Sequence, residues 1–317
     1  MLSDLPLWPE RASTFAVSVD YLFLFILVVC AFFAVLIFSL VLYLAIRYRR
    51  RTPEERATQI KNSLPLELVW TGVPICLAGV MFFWGAALFM RRTIVPPDAQ
   101  DIYVVGKQWM WKLQHPEGPR EIDELHVPVG RPFRLVMTSE DVIHDFFVPA
   151  FRLKQDVLPN RFTSLWFEAT KTGRFHLFCS QYCGTNHARM GGWIYVLEPS
   201  DYQHWLSGAM GNESMTDSGA KLFTRLGCEG CHQSHDTERG PTLVGLYGKS
   251  VQLAGGETVT GDESYIEESI LTPASKVTRG YTPIMPTFLG QIPPDDLFQL
   301  IVYIKSLNTP AMARRQP

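Results

Sequence analysis

Three fold classes follow one another along this 317-residue sequence: a two-helix transmembrane hairpin, a β-sandwich and an all-α C-terminal domain. Three observations predict them. Two long stretches carry no charged residue, the middle third alternates short β-rich runs with turns, and the final third is bracketed by two segments of helical periodicity.

The hairpin comes first. Tyr21 to Ile46 and Leu68 to Met90 are free of Asp, Glu, Lys and Arg, and each exceeds the roughly 20 apolar residues that span a bilayer as a helix. Spans are therefore expected at about 20–46 and 67–90. A secretory leader has a basic start and a shorter apolar core; here Asp4 and Glu10 precede Arg11, so both runs read as anchors. The loop between them holds Arg47, Arg49, Arg50, Arg51, Arg56 and Lys61, which the positive-inside rule keeps in the cytoplasm. Arg91 and Arg92 beyond the second run argue weakly the other way. Both termini and the remaining two-thirds of the chain are thus expected on the extracytoplasmic side of a bacterial inner membrane. Cys30 and Cys76 lie within the spans and read as small packing residues.

Pro96-Pro97-Asp98 marks the exit from the second helix, giving a first block of 1–97. The next, 98–200, contains Ile102–Val105, Phe133–Met137, Ser164–Phe167, Arg174–Phe178 and Gly192–Leu197. Short strands at this spacing predict an antiparallel sandwich or barrel. Small and polar residues at Ser207–Ser214 suit a flexible joint, placed at 201–214. The last block, 215–310, opens with a helical Ser218–Leu226 and closes with the amphipathic Pro294–Leu307, acidic in its first turn. Residues 311–317 read as a tail. A net charge of −2 offers no attraction for nucleic acid.

Two motifs carry chemistry. Within Cys179-Ser-Gln-Tyr-Cys183-Gly-Thr-Asn-His187-Ala-Arg-Met190 lie two thiols, an imidazole and a thioether, with His144 upstream at the end of a strand-like run. Soft sulfur with imidazole selects copper. One cysteine with two His and a Met would make a mononuclear site; the second cysteine lets two thiolates bridge two ions. A disulfide or a zinc site are the rival readings, yet a disulfide uses neither His187 nor Met190, and zinc does not favour a thioether. The second motif, Cys228-Glu-Gly-Cys231-His232, is the C-x-x-C-H haem attachment pattern. His/Met ligation is usual for electron transfer, and Met285, in Tyr281–Phe288, is the expected partner of His232; Met210 and Met215 precede the motif, and His235 lies too close to cross the haem.

The copper motif resembles subunit II of haem–copper cytochrome c oxidases. The resemblance extends through His144–Pro149, Leu153–Arg161, Gln108-Trp-Met-Trp111 and Leu66–Pro74, covering about residues 15 to 200. It implies a cupredoxin-like sandwich whose metal loop lies between the last two strands, with His144 supplied by a neighbouring connection. It further implies a dinuclear CuA centre held by His144, Cys179, Cys183, His187, Met190 and the backbone carbonyl of Gln181. Many relatives have Glu at the place of Gln181, with its side chain on magnesium; a neutral amide is a poorer partner for that hard cation, which argues against a magnesium site. By the same resemblance, Trp109 is a candidate for electron input, here facing the C-terminal domain, and Glu67 for proton uptake into subunit I; otherwise Glu67 complements the helix dipole. The last block, with Gly240–Gly248 and Met285 before a Pro, is similar to small class I bacterial cytochromes c. Together these imply the caa3-like arrangement. Electrons would enter from an external cytochrome or other donor at haem c, pass to CuA and reach the haem of subunit I, where oxygen is reduced and protons are pumped; subunit III is a further implied partner. The two spans contain no His, so the oxygen site belongs to another chain. An electron-input subunit of a CuA-containing nitric oxide reductase and a non-catalytic membrane-anchored redox shuttle are the alternatives. His115, His126, His176 and His204 read as structural or exposed.

Overall fold

The computed structural model describes residues 9–56, 63–117, 119–209 and 214–308. Lys61, Met210, part of the expected joint and the tail lie outside these residues. The described chain forms two compact units, one from Thr14 to Ile94 and one from Val95 onward that also takes in the N-terminal residues up to Ser13.

The first unit is the hairpin: α1, Ala16–Arg47, and α2, Leu64–Thr93. At 32 and 30 residues, both exceed the expected spans. Their surfaces present large apolar side chains such as Phe38, Ile46, Phe82 and Phe83, which suit a hydrocarbon solvent and not water. Glu67 lies in the first turn of α2. Its amide donates to Ser63 O.

The second unit contains the sandwich. Its strands are β1 Gln100–Lys107, β2 Met110–Gln114, β3 Arg120–Ile122, β4 Glu124–Pro128, β5 Pro132–Ser139, β6 His144–Val148, β7 Leu153–Val157, β8 Thr163–Glu168, β9 Gly173–Cys179 and β10 Gly191–Leu197. One sheet runs β3-β2-β1-β5-β8 and the other β4-β10-β9-β6-β7. The pairing is mixed, because β1 runs parallel to β5 and β4 parallel to β10. Residue alternation reports which face is buried, not strand direction, so the expected antiparallel pairing fails at these two ladders. Period-two burial is clear in β9 and β10, where Phe175, Leu177 and Cys179 point inward against Ile194 and Val196. Trp111, Phe133, Phe146, Phe151 and Phe167 fill the space between the sheets, and each contributes on the order of 2–3 kcal/mol through the apolar area removed from water. Near the N-terminus, Ser13 bridges Ala169 and its hydroxyl donates to Phe151 O at 2.8 Å.

A short helix, α3 Pro199–Ala209, follows β10 and occupies much of the segment expected as a joint. Its Tyr202 and Trp205 pack on a polar cluster. His115 Nε2 lies 3.0 Å and His126 Nδ1 2.5 Å from the two oxygens of Glu121, and the His126 ring is stacked 4.6 Å from both Tyr195 and Trp205. Burial would raise the Glu121 pKa, but bonds from His115 and His126 hold it below the ordinary carboxylate range.

The C-terminal region contains α4 Met215–Arg225, α5 Glu263–Leu271 and α6 Pro294–Ser306, with a small hairpin of β11 Ser250–Gln252 and β12 Thr258–Thr260. The hairpin adds strand to a domain expected to be all-α, and α5 also went unanticipated. Ser214 caps α4 by accepting from the Asp217 amide, and Asp262 caps α5 by accepting from Tyr265. Where α4 crosses α6, a Cβ on Gly219 would sit 2.1 Å from Gln299 O. Only glycine permits that approach.

The outer stripe of α6 meets the sandwich. Phe298 and Val302, with Met215 of α4, pack against Tyr103, Val105 and Val136. Two ionic contacts flank this patch: Lys112 with Asp295 at 2.8 Å, and a four-residue cluster of Asp101, Arg134, Glu263 and Lys305.

Candidate metal centre and haem cavity

Strand register assembles the first site. Phe146 of β6 pairs with Cys179 of β9, which sets His144 beside the sulfur at the end of β9. His144 therefore opens a strand; it does not end one. The loop from Ser180 to Met190 connects the last two strands and is closed by Cys179 N–H donating to Met190 O at 3.1 Å. A one-turn helix at His187–Arg189 turns the chain back into β10.

The donor atoms converge. Cys179 Sγ and Cys183 Sγ are 3.8 Å apart, well beyond the ~2.05 Å of a disulfide. His144 Nδ1 is 3.9 Å from Cys179 Sγ, and Gln181 O is 3.2 Å from it. His187 Nδ1 and Met190 Sδ lie 3.5 and 3.7 Å from Cys183 Sγ. One imidazole stands near each thiol, and the cluster of His144, Cys179 and Cys183 is buried. Zinc would leave the buried Met190 sulfur without a role, whereas copper accepts it. The donor set fits copper.

The surroundings fix these side chains. Asp141 Oδ1 is 2.8 Å from His144 Nε2, which leaves Nδ1 for a metal. Trp111 meets the imidazole edge-on, and a Cβ on Gly106 would lie 2.9 Å from His144 Cδ2. Gln108 Nε2 and Trp109 Nε1 both donate to Cys183 O, at 2.7 and 3.2 Å. Trp109 is half-buried against this loop; no hydrogen bond or ring contact joins it to the C-terminal domain among the described residues. Ser180 Oγ donates to Asp145 Oδ1. Burial opposes ionisation of Cys179, but the contacts with His144 and the backbone outweigh it and hold the thiol at about 7. Burial and the neighbouring Cys179 charge push Cys183 the other way, upward. Sequence reasoning missed Asp141 and Asp145, since an acid a few residues from a His is too common to signal anything.

The second site is a cavity of about 770 Å³ in the C-terminal region, lined by Cys228, Cys231, His232 and Met285. Phe223, Leu243, Ile266, Leu300 and Ile304 make its wall apolar. His232 Nδ1 lies 2.9 Å from Pro241 O, so Nε2 is the nitrogen free to meet an iron. Ser269 also lines the cavity, and its buried hydroxyl has no hydrogen-bond partner among the described residues. A flat apolar macrocycle attached at Cys228 and Cys231 fits this lining. His235 does not line the cavity. Met215 is buried at the contact with the sandwich.

Three family models tile the chain: cytochrome c oxidase subunit II, transmembrane domain, at residues 7–83; its periplasmic domain at 119–196; and cytochrome c at 216–308. The chain belongs to the subunit II family of cytochrome c oxidases. It carries a fused cytochrome c domain. Cytochrome c oxidase subunit 2 of Alkalihalophilus pseudofirmus is 27% identical over 89% of this chain and 85% of that relative. The Synechocystis protein of the same name is 26% identical over 63% and 75%. The crystal structure of the periplasmic domain of subunit II from Bradyrhizobium japonicum is 35% identical, covering 37% of this chain and 96% of that one, with a TM-score of 0.35. Membership makes this a membrane-anchored subunit of a haem–copper oxidase with its soluble part outside the cytoplasm. The subunit II domain implies copper, and the cytochrome domain implies haem c.

Proposed function

We propose that this subunit takes electrons from an external donor through a covalent haem c and a dinuclear CuA centre to the haem of subunit I, where oxygen is reduced to water and protons are pumped. The observation that carries this reading is that a copper donor set and an apolar cavity lined by Cys228, Cys231, His232 and Met285 occur within one compact unit. His144, Cys179, Cys183, His187, Met190 and the carbonyl of Gln181 would hold the two coppers. The thiols of Cys228 and Cys231 would each add across a haem vinyl group, S to carbon and H to its neighbour. His232 and Met285 would ligate the iron, a pairing that suits electron transfer. Asp141 orients His144, while Gln108 and Trp109 hold the Cys183 carbonyl; Trp109 is our candidate for electron input. No magnesium site is proposed at Gln181. The boundaries 1–97, 98–200, 201–214 and 215–310 describe the functional modules, both termini face outward, and subunits I and III are the partners.

EPR of the purified complex tests the copper assignment. Hyperfine structure from two equivalent coppers is expected, and a mononuclear blue-copper spectrum would defeat it. Oxygen consumption by the same complex is expected to exceed nitric oxide consumption; the reverse would favour a nitric oxide reductase, and a subunit that purifies stably without a polytopic haem partner would favour a redox shuttle. Glu67 is a proton-uptake candidate: Glu67→Ala is expected to slow turnover while both metal spectra stay intact, and unchanged turnover would remove that role.

A further inference from the structure

The contact between the cytochrome domain and the sandwich is built from two unlike parts. Phe298, Val302 and Met215 against Tyr103, Val105 and Val136 form an apolar patch, to which Phe162 adds a ring stacked 4.9 Å from Phe298. Such a patch attracts without specifying orientation.

The ionic cluster beside it is directional. Asp101 and Arg134 come from β1 and β5 of the sandwich, Glu263 and Lys305 from α5 and α6. Arg134 grips Asp101 with two nitrogens at 2.6 and 2.8 Å and reaches Glu263 at 2.7 Å. Lys305 Nζ lies 2.7 Å from Asp101 and 2.8 Å from Glu263. Charges alternate around this square, each acid touching both bases. Tyr247 closes one corner by donating to Glu263 at 2.7 Å, and its ring lies 4.7 Å from Lys305 Nζ. All four charged side chains are at most 22% exposed, so salt screens them weakly.

A desolvated cluster of this kind is poor evidence for added stability, because burying charges costs about as much as pairing them returns. It is better evidence for register: any other docking pose would break the Arg134–Glu263 and Lys305–Asp101 contacts and leave each domain only its own ion pair. The stripe of α6 that makes the contact, Asp295, Phe298, Val302 and Lys305, faces away from the haem cavity, which Leu300 and Ile304 of the same helix line. The docking surface and the cavity therefore use different faces of α6.

We infer that Lys305 and Arg134 are positioning residues that hold the cytochrome domain in a single pose on the sandwich, so that it delivers electrons as a docked module and not as a swinging carrier. This deepens the electron-input reading and rests on it. One electron leaves the reduced haem and reduces the oxidised copper pair by one, with no proton or covalent bond exchanged. The residues act on orientation alone.

The test inverts half of the square in the assembled oxidase. Glu263→Lys with Lys305→Glu keeps the composition and net charge of the cytochrome domain, yet sets like charges across both domain contacts. Hydrogen exchange at β1 and along the outer face of α6 is expected to rise by about ten-fold. Electron transfer from flash-reduced haem c to copper should slow by a similar factor, with KM for the external donor and both metal spectra unchanged. Adding Asp101→Arg and Arg134→Asp restores the alternation and should restore both readouts. Unchanged exchange and transfer in the double variant overturn the inference, as does a loss that the fourfold variant fails to recover. Should the double variant lose its haem spectrum, Lys112→Met severs the outlying contact with Asp295 more gently; a smaller rise in exchange is then expected, and none overturns the inference. Absence of haem or copper signals in the unmodified complex would instead defeat the electron-input reading, while the exchange arm still judges the clamp.

Discussion

The copper site and the haem site of this subunit are built on opposite plans. Six candidate donors of the first lie within a strand end, an eleven-residue loop and one neighbouring strand, and hydrogen bonds to the backbone hold them: Cys179 bonds Met190, Ser180 bonds Asp145, and the Gln108 and Trp109 side chains bond the Cys183 carbonyl. The second is a cavity of about 770 Å³ whose walls come from several separate segments. Hydrogen bonds within the sandwich orient the candidate copper donors. An apolar cavity of that size is costly unless filled, since its lining gives up contacts on one side. Metal binding should therefore be nearly independent of folding in the sandwich and strongly coupled to it in the cytochrome domain.

The largest effect that can break this comparison is loss of haem attachment. Cys228→Ser with Cys231→Ser is expected to leave the cytochrome domain largely unfolded, read by loss of helical circular dichroism, while the sandwich still binds copper with an unchanged EPR signal. A folded cytochrome domain without haem would show that the cavity wall is self-supporting. A smaller effect probes the other side. Gly106→Ala inserts a methyl 2.9 Å from the His144 ring, with a cost of about 1–3 kcal/mol typical of overpacking. Altered copper hyperfine coupling with a retained fold is expected; if the spectrum is unmoved, the imidazole is less rigidly held than the contacts with Asp141 and Trp111 suggest.

The smallest effect concerns the helix beside the haem cavity. Burial, with a lesser contribution from the Glu268 charge, pushes Glu267 of α5 up to about 7. A carboxyl whose folded pKa is raised favours the native state while it stays protonated. Its ionisation therefore removes stability as pH rises from the ordinary 4.5 through about 7. Glu267→Gln should flatten that loss, raising the Tm of the cytochrome domain at pH 8 and changing it little at pH 4. Equal shifts at both values would show that the carboxyl is solvated in the native state.

The same contrast explains what was legible in the sequence. The candidate copper ligands of the loop and the C-x-x-C-H motif are contiguous, so their chemistry could be read directly, and strands such as Arg174–Phe178 announced themselves by alternation. Strands β2 to β4 were too short and too polar to stand out, and the parallel ladders depend on pairing partners that alternation does not encode. Helix α5 carries three glutamates, which obscured its apolar face. Asp141 and the clamp were beyond reach for a different reason: Lys305 is 204 residues from Asp101, and nothing in the spacing of isolated charges links them. Where function is local in the chain it can be read; where it is assembled by docking it cannot.

The anchoring of α3 has a consequence for that docking. Tyr202 and Trp205 fasten this helix to His115 and His126, and it ends at Ala209, while Ser214 already caps α4. Five residue steps separate these fixed points, a reach of no more than about 18 Å. A tether that short keeps the cytochrome domain at an effective concentration in the millimolar range or above, even with every clamp contact broken. Diffusional encounter is thus never the scarce resource for this chain. On the proposed electron path, dilution, crowding and donor abundance would govern how fast electrons reach the haem, but the hand-over inside the subunit would proceed as a first-order event whose rate is the same in a sparse membrane and a packed one.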